Sequence, residues 1–89
     1  MHPKIVFVKA NCEDYTLEVT FDNNEMYIFD IKTKLSQLGY ELLLDKDFFR
    51  TVKVDAGGYG VSWNDEIDIS EYEILITGTK KSHFDISAC

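Results

Sequence analysis

Three glycines (Gly57, Gly58, Gly60) run into Ser62 and Trp63, and three carboxylates (Asp65, Glu66, Asp68) follow directly, so the residue types best able to do chemistry are concentrated in one stretch. A glycine-rich loop can cradle phosphate through its backbone N–H groups. Here, however, the spacing is neither GxGxxG nor a Walker sequence, no lysine follows, and the flanking charge is negative. A turn is the expected role. Asp65, Glu66 and Asp68 carry the oxygen ligands that hard cations take, yet the regular ligand spacing and central glycine of an EF-hand loop are missing. They are expected as solvated turn carboxylates. Ser62 sits in GVSWN, which lacks the second glycine of a nucleophile elbow. His2 and His83 stand at opposite ends of the chain, and Cys12 has no histidine beside it in sequence. Two histidines and two distant cysteines do not have zinc-finger spacing. The expectation is of no catalytic residue, no metal, no cofactor and no enzymatic activity.

Binding is the remaining chemistry. An aromatic beside a carboxylate-rich turn can anchor a protein interface as well as a core. Trp63 is expected in the core, whereas Tyr59, inside the glycine turn, is expected at the surface. With Asp65, Glu66 and Asp68 it makes the candidate interaction surface.

The elements that must position these residues follow from patterning. Ile5 to Val8 is β-branched and aromatic, and Leu17, Val19 and Phe21 alternate with Thr16, Glu18 and Thr20 as in a half-buried strand. Asp22 to Glu25 supplies turn residues that tolerate positive φ, and Met26 to Phe29 resumes a strand, giving a meander of three. Leu35, Leu38, Leu42 and Leu43 recur at helical spacing, with Gly39 closing one helix or separating two short ones. Asp45 can cap a further turn that carries Phe48 and Phe49 into the core. Thr51 to Val54 returns to strand, the glycines make a β-hairpin or a bulge with Trp63 on the returning strand, Asn64 to Glu66 make the next turn, and Ile67 with Ile69 gives another short alternating segment. Ser70 and Glu73 have capping-box spacing ahead of Tyr72, Ile74, Leu75 and Ile76, which predicts a helix near residues 70–77. The expected fold is α+β: a small, mainly antiparallel sheet, meander plus second hairpin, packed with two or three short helices. Residues 1–78 are expected to form a single domain, with residues 79–89 as a flexible C-terminal tail.

Eighty-nine residues suffice for one small core and not for two. The formal net charge is −7, from 16 acidic and 9 basic side chains. Between Val54 and Gly78 stand Asp55, Asp65, Glu66, Asp68, Glu71 and Glu73 without a single Lys or Arg. Such a surface repels phosphate, which argues against direct nucleic-acid binding and is compatible with a basic protein partner. An acidic face also keeps a protein soluble with no partner at all. No segment is apolar for long enough to span a membrane, and the opening run is too short for a signal peptide. Cys12 and Cys89, without CxxC spacing, are expected as free thiols in a reducing, cytoplasmic compartment.

Three pieces of sequence carry a family resemblance. HPKIVFVKA with YTLEVTFDNNEMYIFDI, then FFRTVKVD, then GGYGVSWNDEIDIS resemble, from Met1 to about Tyr72, the small bacterial family known as domain of unknown function 2442. The resemblance implies a compact α+β fold without catalytic residues. It also implies proteins found beside a small partner in arrangements suggestive of a toxin and its antitoxin. Some members carry an added helix-turn-helix domain, for which no room is expected after the last helix here.

The leading expectation is a non-enzymatic protein-interaction module, antitoxin-like or an inhibitor of a basic or nucleic-acid-binding partner. In a sharper form, the acidic turn imitates nucleic-acid phosphate. Two alternatives belong to other classes: a small ligand- or metal-binding accessory domain using Asp65, Glu66 and Asp68 with the glycine turn, or a homodimer paired through exposed strand edges.

Overall fold

A computed structural model describes residues 3–81. His2, His83, Cys89 and the rest of the expected tail from residue 82 lie outside the described residues. The fold is α+β, with one antiparallel sheet of four strands, a second of three, and three short helices.

The four-stranded sheet has the order β1-β2-β3-β7. β1 (Ile5–Asn11), β2 (Thr16–Phe21) and β3 (Met26–Asp30) form the expected meander. Alternation does the work in β2, where Leu17, Val19 and Phe21 are fully buried and the residues between them are half-buried. The β2–β3 turn uses Asn24 at φ 69°, a conformation asparagine tolerates better than most residues. β7 (Thr79–Lys81) pairs with β3 through Met26 with Lys81, Tyr27 with Lys80, and Ile28 with Thr79. The sheet therefore extends past the expected domain boundary at residue 78, because three residues after the last helix suffice to complete it.

Lys80 Nζ donates to Glu25 Oε2 at 2.7 Å and ties β7 to the β2–β3 turn. This bond, helped by the Asn23 amide, holds the Glu25 carboxyl below its ordinary value of 4.5. The same contact raises the Lys80 ammonium above 10.5. A carboxyl depressed in the folded state stabilises above its unfolded pKa and loses that contribution as pH falls through the folded one. For the raised lysine, the contribution is complete below 10.5 and is lost as pH climbs through the folded value. Wild type is therefore expected to keep a small, constant urea-midpoint advantage over Glu25→Gln between these limits, shrinking below pH 4.5. A pH series of urea titrations checks this, and a difference that grows on acidification would contradict it.

The smaller sheet, in the order β4-β5-β6, comprises β4 (Lys53–Val54), β5 (Gly60–Ser62) and β6 (Asp68–Ser70). Between β4 and β5 a 3₁₀ turn over Ala56–Gly58 reverses the chain, and the Asp55 N–H donates to the Gly60 carbonyl at 2.9 Å. Gly58 has φ +76° and lies against the backbone of Ile5, so this turn fastens the second sheet to the start of β1.

Three short helices fill the rest: α1 (Lys32–Leu35), α2 (Lys46–Phe49) and α3 (Glu71–Thr77), with a 3₁₀ turn over Glu41–Leu44. The expected caps are present. Asp45 accepts from the Asp47 N–H at 3.0 Å and Ser70 from the Glu73 N–H at 3.1 Å. Of the four leucines expected on one helical face, Leu43 is fully buried and Leu35 packs against the core, but Leu38 and Leu42 are exposed. The cause is Gly39 at φ +97°, which breaks helical periodicity between them.

The core lies between the inner face of the larger sheet and the elements from residue 31 to residue 77. Leu17, Val19, Phe21 and Phe29 meet Leu43, Phe49, Val61, Trp63, Ile69 and Ile74 there. Cys12 is buried and disulfide-bonded, which corrects the expectation of a free thiol and removes its support for a reducing compartment. Among the described residues no helix is long and apolar enough to cross a membrane.

Candidate functional site

The β5–β6 hairpin carries the candidate residues, and its rigidity comes from below. Trp63 is 5% exposed and its ring stacks on Phe49, with centroids 6.1 Å apart. The indole Nε1–H donates to the Phe49 carbonyl at 2.8 Å, satisfying the one polar atom that a buried tryptophan must place. Ile67 and Ile69 are also buried, so the hairpin is pinned on both strands.

Asn64 shapes the turn. Its Oδ1 accepts from the Glu66 N–H at 2.9 Å and the Ile67 N–H at 2.8 Å, while the Trp63 N–H donates to the Ile67 carbonyl at 2.9 Å. An asparagine side chain acting in this way mimics a backbone turn. With those amides satisfied by Asn64, the Asp65, Glu66 and Asp68 side chains are exposed, and none forms a salt bridge among the described residues. Three negative charges thus stand on a fixed frame without an ion-pair partner among the described residues.

Tyr59 is exposed as expected, at 61%, but it stands at the other end of the hairpin. Its carbonyl accepts from the Glu71 N–H at 2.9 Å, beside the last residue of β6. Asp65 follows five residues beyond β5's first position, so the two lie roughly 15 Å apart along the strand direction. Tyr59 has a different environment as well. Lys4 Nζ sits 4.2 Å from its ring centroid and donates to Glu71 Oε1 at 2.9 Å. Glu71 is 8% exposed and its Oε2 is buried without a hydrogen-bond partner. This cation–π and ion-pair group joins the residue just before β1 to α3 and balances its own charge. Tyr59 therefore belongs to a structural clasp, and the acidic surface is made by Asp65, Glu66 and Asp68.

Tyr40 has the opposite history, with no sequence signal marking it. Its hydroxyl donates to the Asp68 carbonyl at 3.3 Å across 28 positions of sequence, setting the segment between α1 and α2 against β6. Lys34 reaches the same ring at 5.5 Å from its centroid and pairs with Glu73 on α3.

Ser62 is 8% exposed, and its hydroxyl donates to Asp55 Oδ1 at 2.5 Å. That bond links β4 to β5 and commits the hydroxyl to a carboxylate. Among the described residues no three His, Cys, Asp or Glu side chains are grouped as metal ligands would be. Asp65, Glu66 and Asp68 are not grouped in that way.

The family model described as "Protein of unknown function (DUF2442)" matches residues 10–79, most of the chain. No curated protein matches the chain, and no solved structure does.

Proposed function

The chain belongs to this family of proteins of unknown function, and from that premise we propose that it is a non-enzymatic protein-interaction module. It binds a basic protein through Asp65, Glu66 and Asp68 and acts as an antitoxin-like partner or inhibitor. The observation that carries this reading is the unneutralised trio of carboxylates on a hairpin held by Trp63, Ile67 and the Asn64 turn. A preorganised charged surface spends little free energy on ordering when it binds, and opposite charge on the partner accelerates encounter. The net charge of −7 extends the same field beyond the hairpin.

The test is affinity purification from the native host at low ionic strength, with Asp65→Lys/Glu66→Lys as parallel bait. A stoichiometric basic partner is expected with wild type. The double variant changes the local charge by four units, and its affinity is expected to fall roughly tenfold or more. Recovery of the same partner by both baits would remove the hairpin from the interface. Recovery of none would sink the reading.

A further inference from the structure

Leu38, Leu42 and Leu44 are 95%, 55% and 59% exposed, an unusual use of leucine in a chain with a single small core to fill. They are also held in place. Leu43, between two of them, is fully buried. Leu44's carbonyl accepts from the Tyr15 hydroxyl at 2.7 Å, and Gly39's N–H donates to Glu41 Oε2 at 2.8 Å. Tyr40, two residues from both Leu38 and Leu42, hydrogen-bonds the Asp68 carbonyl, so its side chain tethers the leucine segment to the acidic hairpin. Exposed Glu41 and Asp45 put two more carboxylates among the leucines, with exposed Lys46 the one cation directly beside them in sequence. Lys34 on the same side is paired with Glu73, so its charge is offset.

We infer that Leu38 and Leu42, with Asp65, Glu66 and Asp68 beside them, form one composite docking surface for a basic amphipathic helix of the partner protein. Apolar residues of that helix seat on the leucines, and its Lys or Arg residues face the carboxylates. The charge settles the kind of occupant. An acidic border around apolar side chains disfavours an anionic membrane surface and a second copy of this equally acidic chain, and it favours a cationic segment. An α-helix with side chains is about 10–12 Å across, wide enough to touch both elements that the Tyr40–Asp68 bond joins. This inference rests on the proposed binding role and adds the form of the bound segment.

The probe is a synthetic leucine–lysine peptide of about four helical turns with its leucines on one face, compared with a scramble of identical composition. Binding is followed by amide NMR and by titration at several salt concentrations. The amphipathic peptide is expected to shift resonances in residues 36–44 and 64–68, and to bind more tightly than the scramble. Leu38→Ser/Leu42→Ser is expected to weaken it roughly tenfold or more while keeping the salt dependence. Asp65→Lys/Glu66→Lys is expected to flatten the salt dependence. Leu38→Ser alone, at a 95% exposed position, serves where the double variant unfolds. Equal binding of both peptides, shifts confined to other surfaces, no binding, or a serine variant that binds like wild type would each overturn the composite surface. In the last case, continued dependence on Asp65 and Glu66 would leave the acidic hairpin's binding role standing. Self-association of wild type that the serine variant abolishes would assign the leucines to a second copy and would overturn it too.

Discussion

Trp63→Ala is expected to destabilise the protein by about 3–5 kcal/mol, the usual cost of deleting a large buried aromatic. Three contributions act together. The substitution opens a cavity beside Phe49, removes a stacked ring, and strands the Phe49 carbonyl that the indole N–H now satisfies. A domain of this size has about 5–15 kcal/mol in total, so the variant sits near the unfolding threshold. Trp63→Phe keeps a ring and loses the donor, and should cost about half as much or less. Urea titration followed by far-UV circular dichroism measures both. A loss below about 1 kcal/mol for the alanine variant would mean that the hairpin is not anchored through Trp63.

Gly58→Ala is expected to cost about 3 kcal/mol, for a different reason. Left-handed backbone carries about 1–2 kcal/mol for a residue with a Cβ, and overpacking commonly adds about 1–3. At Gly58 the added carbon would lie 2.6 Å from the Ile5 carbonyl oxygen and 2.9 Å from the Ile5 nitrogen. Those are backbone atoms of β1, so relief requires moving one sheet relative to the other. Gly39→Ala is the internal comparison. Its φ is +97° but nothing stands within 4 Å of its Cβ position, leaving only the backbone cost. Gly58→Ala should therefore be clearly the less stable of the two in thermal or urea unfolding. Equal destabilisation would show that the contact with Ile5 is soft.

Much of the framework was legible from local pattern. The period-two alternation of Leu17, Val19 and Phe21 is a property of six consecutive residues, and so are the Ser70 cap and the polar turn around Asn24. The exposed carboxylates were legible for the same reason: a polar turn between two buried positions must face solvent. What escaped depends on partners distant in sequence. Tyr40 gains its place from a carbonyl 28 residues away, and Lys4 meets Glu71 across 67 residues. Neither residue type nor spacing encodes such a meeting. Tyr59 and Asp65 are near in sequence, but an intervening strand carries the two to opposite ends of the hairpin. Leu38 and Leu42 fit a helical template whose continuity one glycine removes. The three polar residues of β7 have almost no strand signal of their own and are recruited by the open edge of β3.

That recruitment also sets an order of events. The β1–β2–β3 meander joins neighbours in sequence through short turns, so its loop-closure cost is small and it can form as soon as residue 30 is available. β7 must return across some fifty residues to reach Met26, Tyr27 and Ile28. During synthesis the β3 edge therefore stands uncovered until the last element of the described chain arrives. An uncovered edge is a template for any other extended strand. A chain that stops short of Thr79 keeps that edge open permanently. Three unremarkable residues, Thr79, Lys80 and Lys81, close the larger sheet on that side, and the Lys80 pair with Glu25 fastens the closure at its rim.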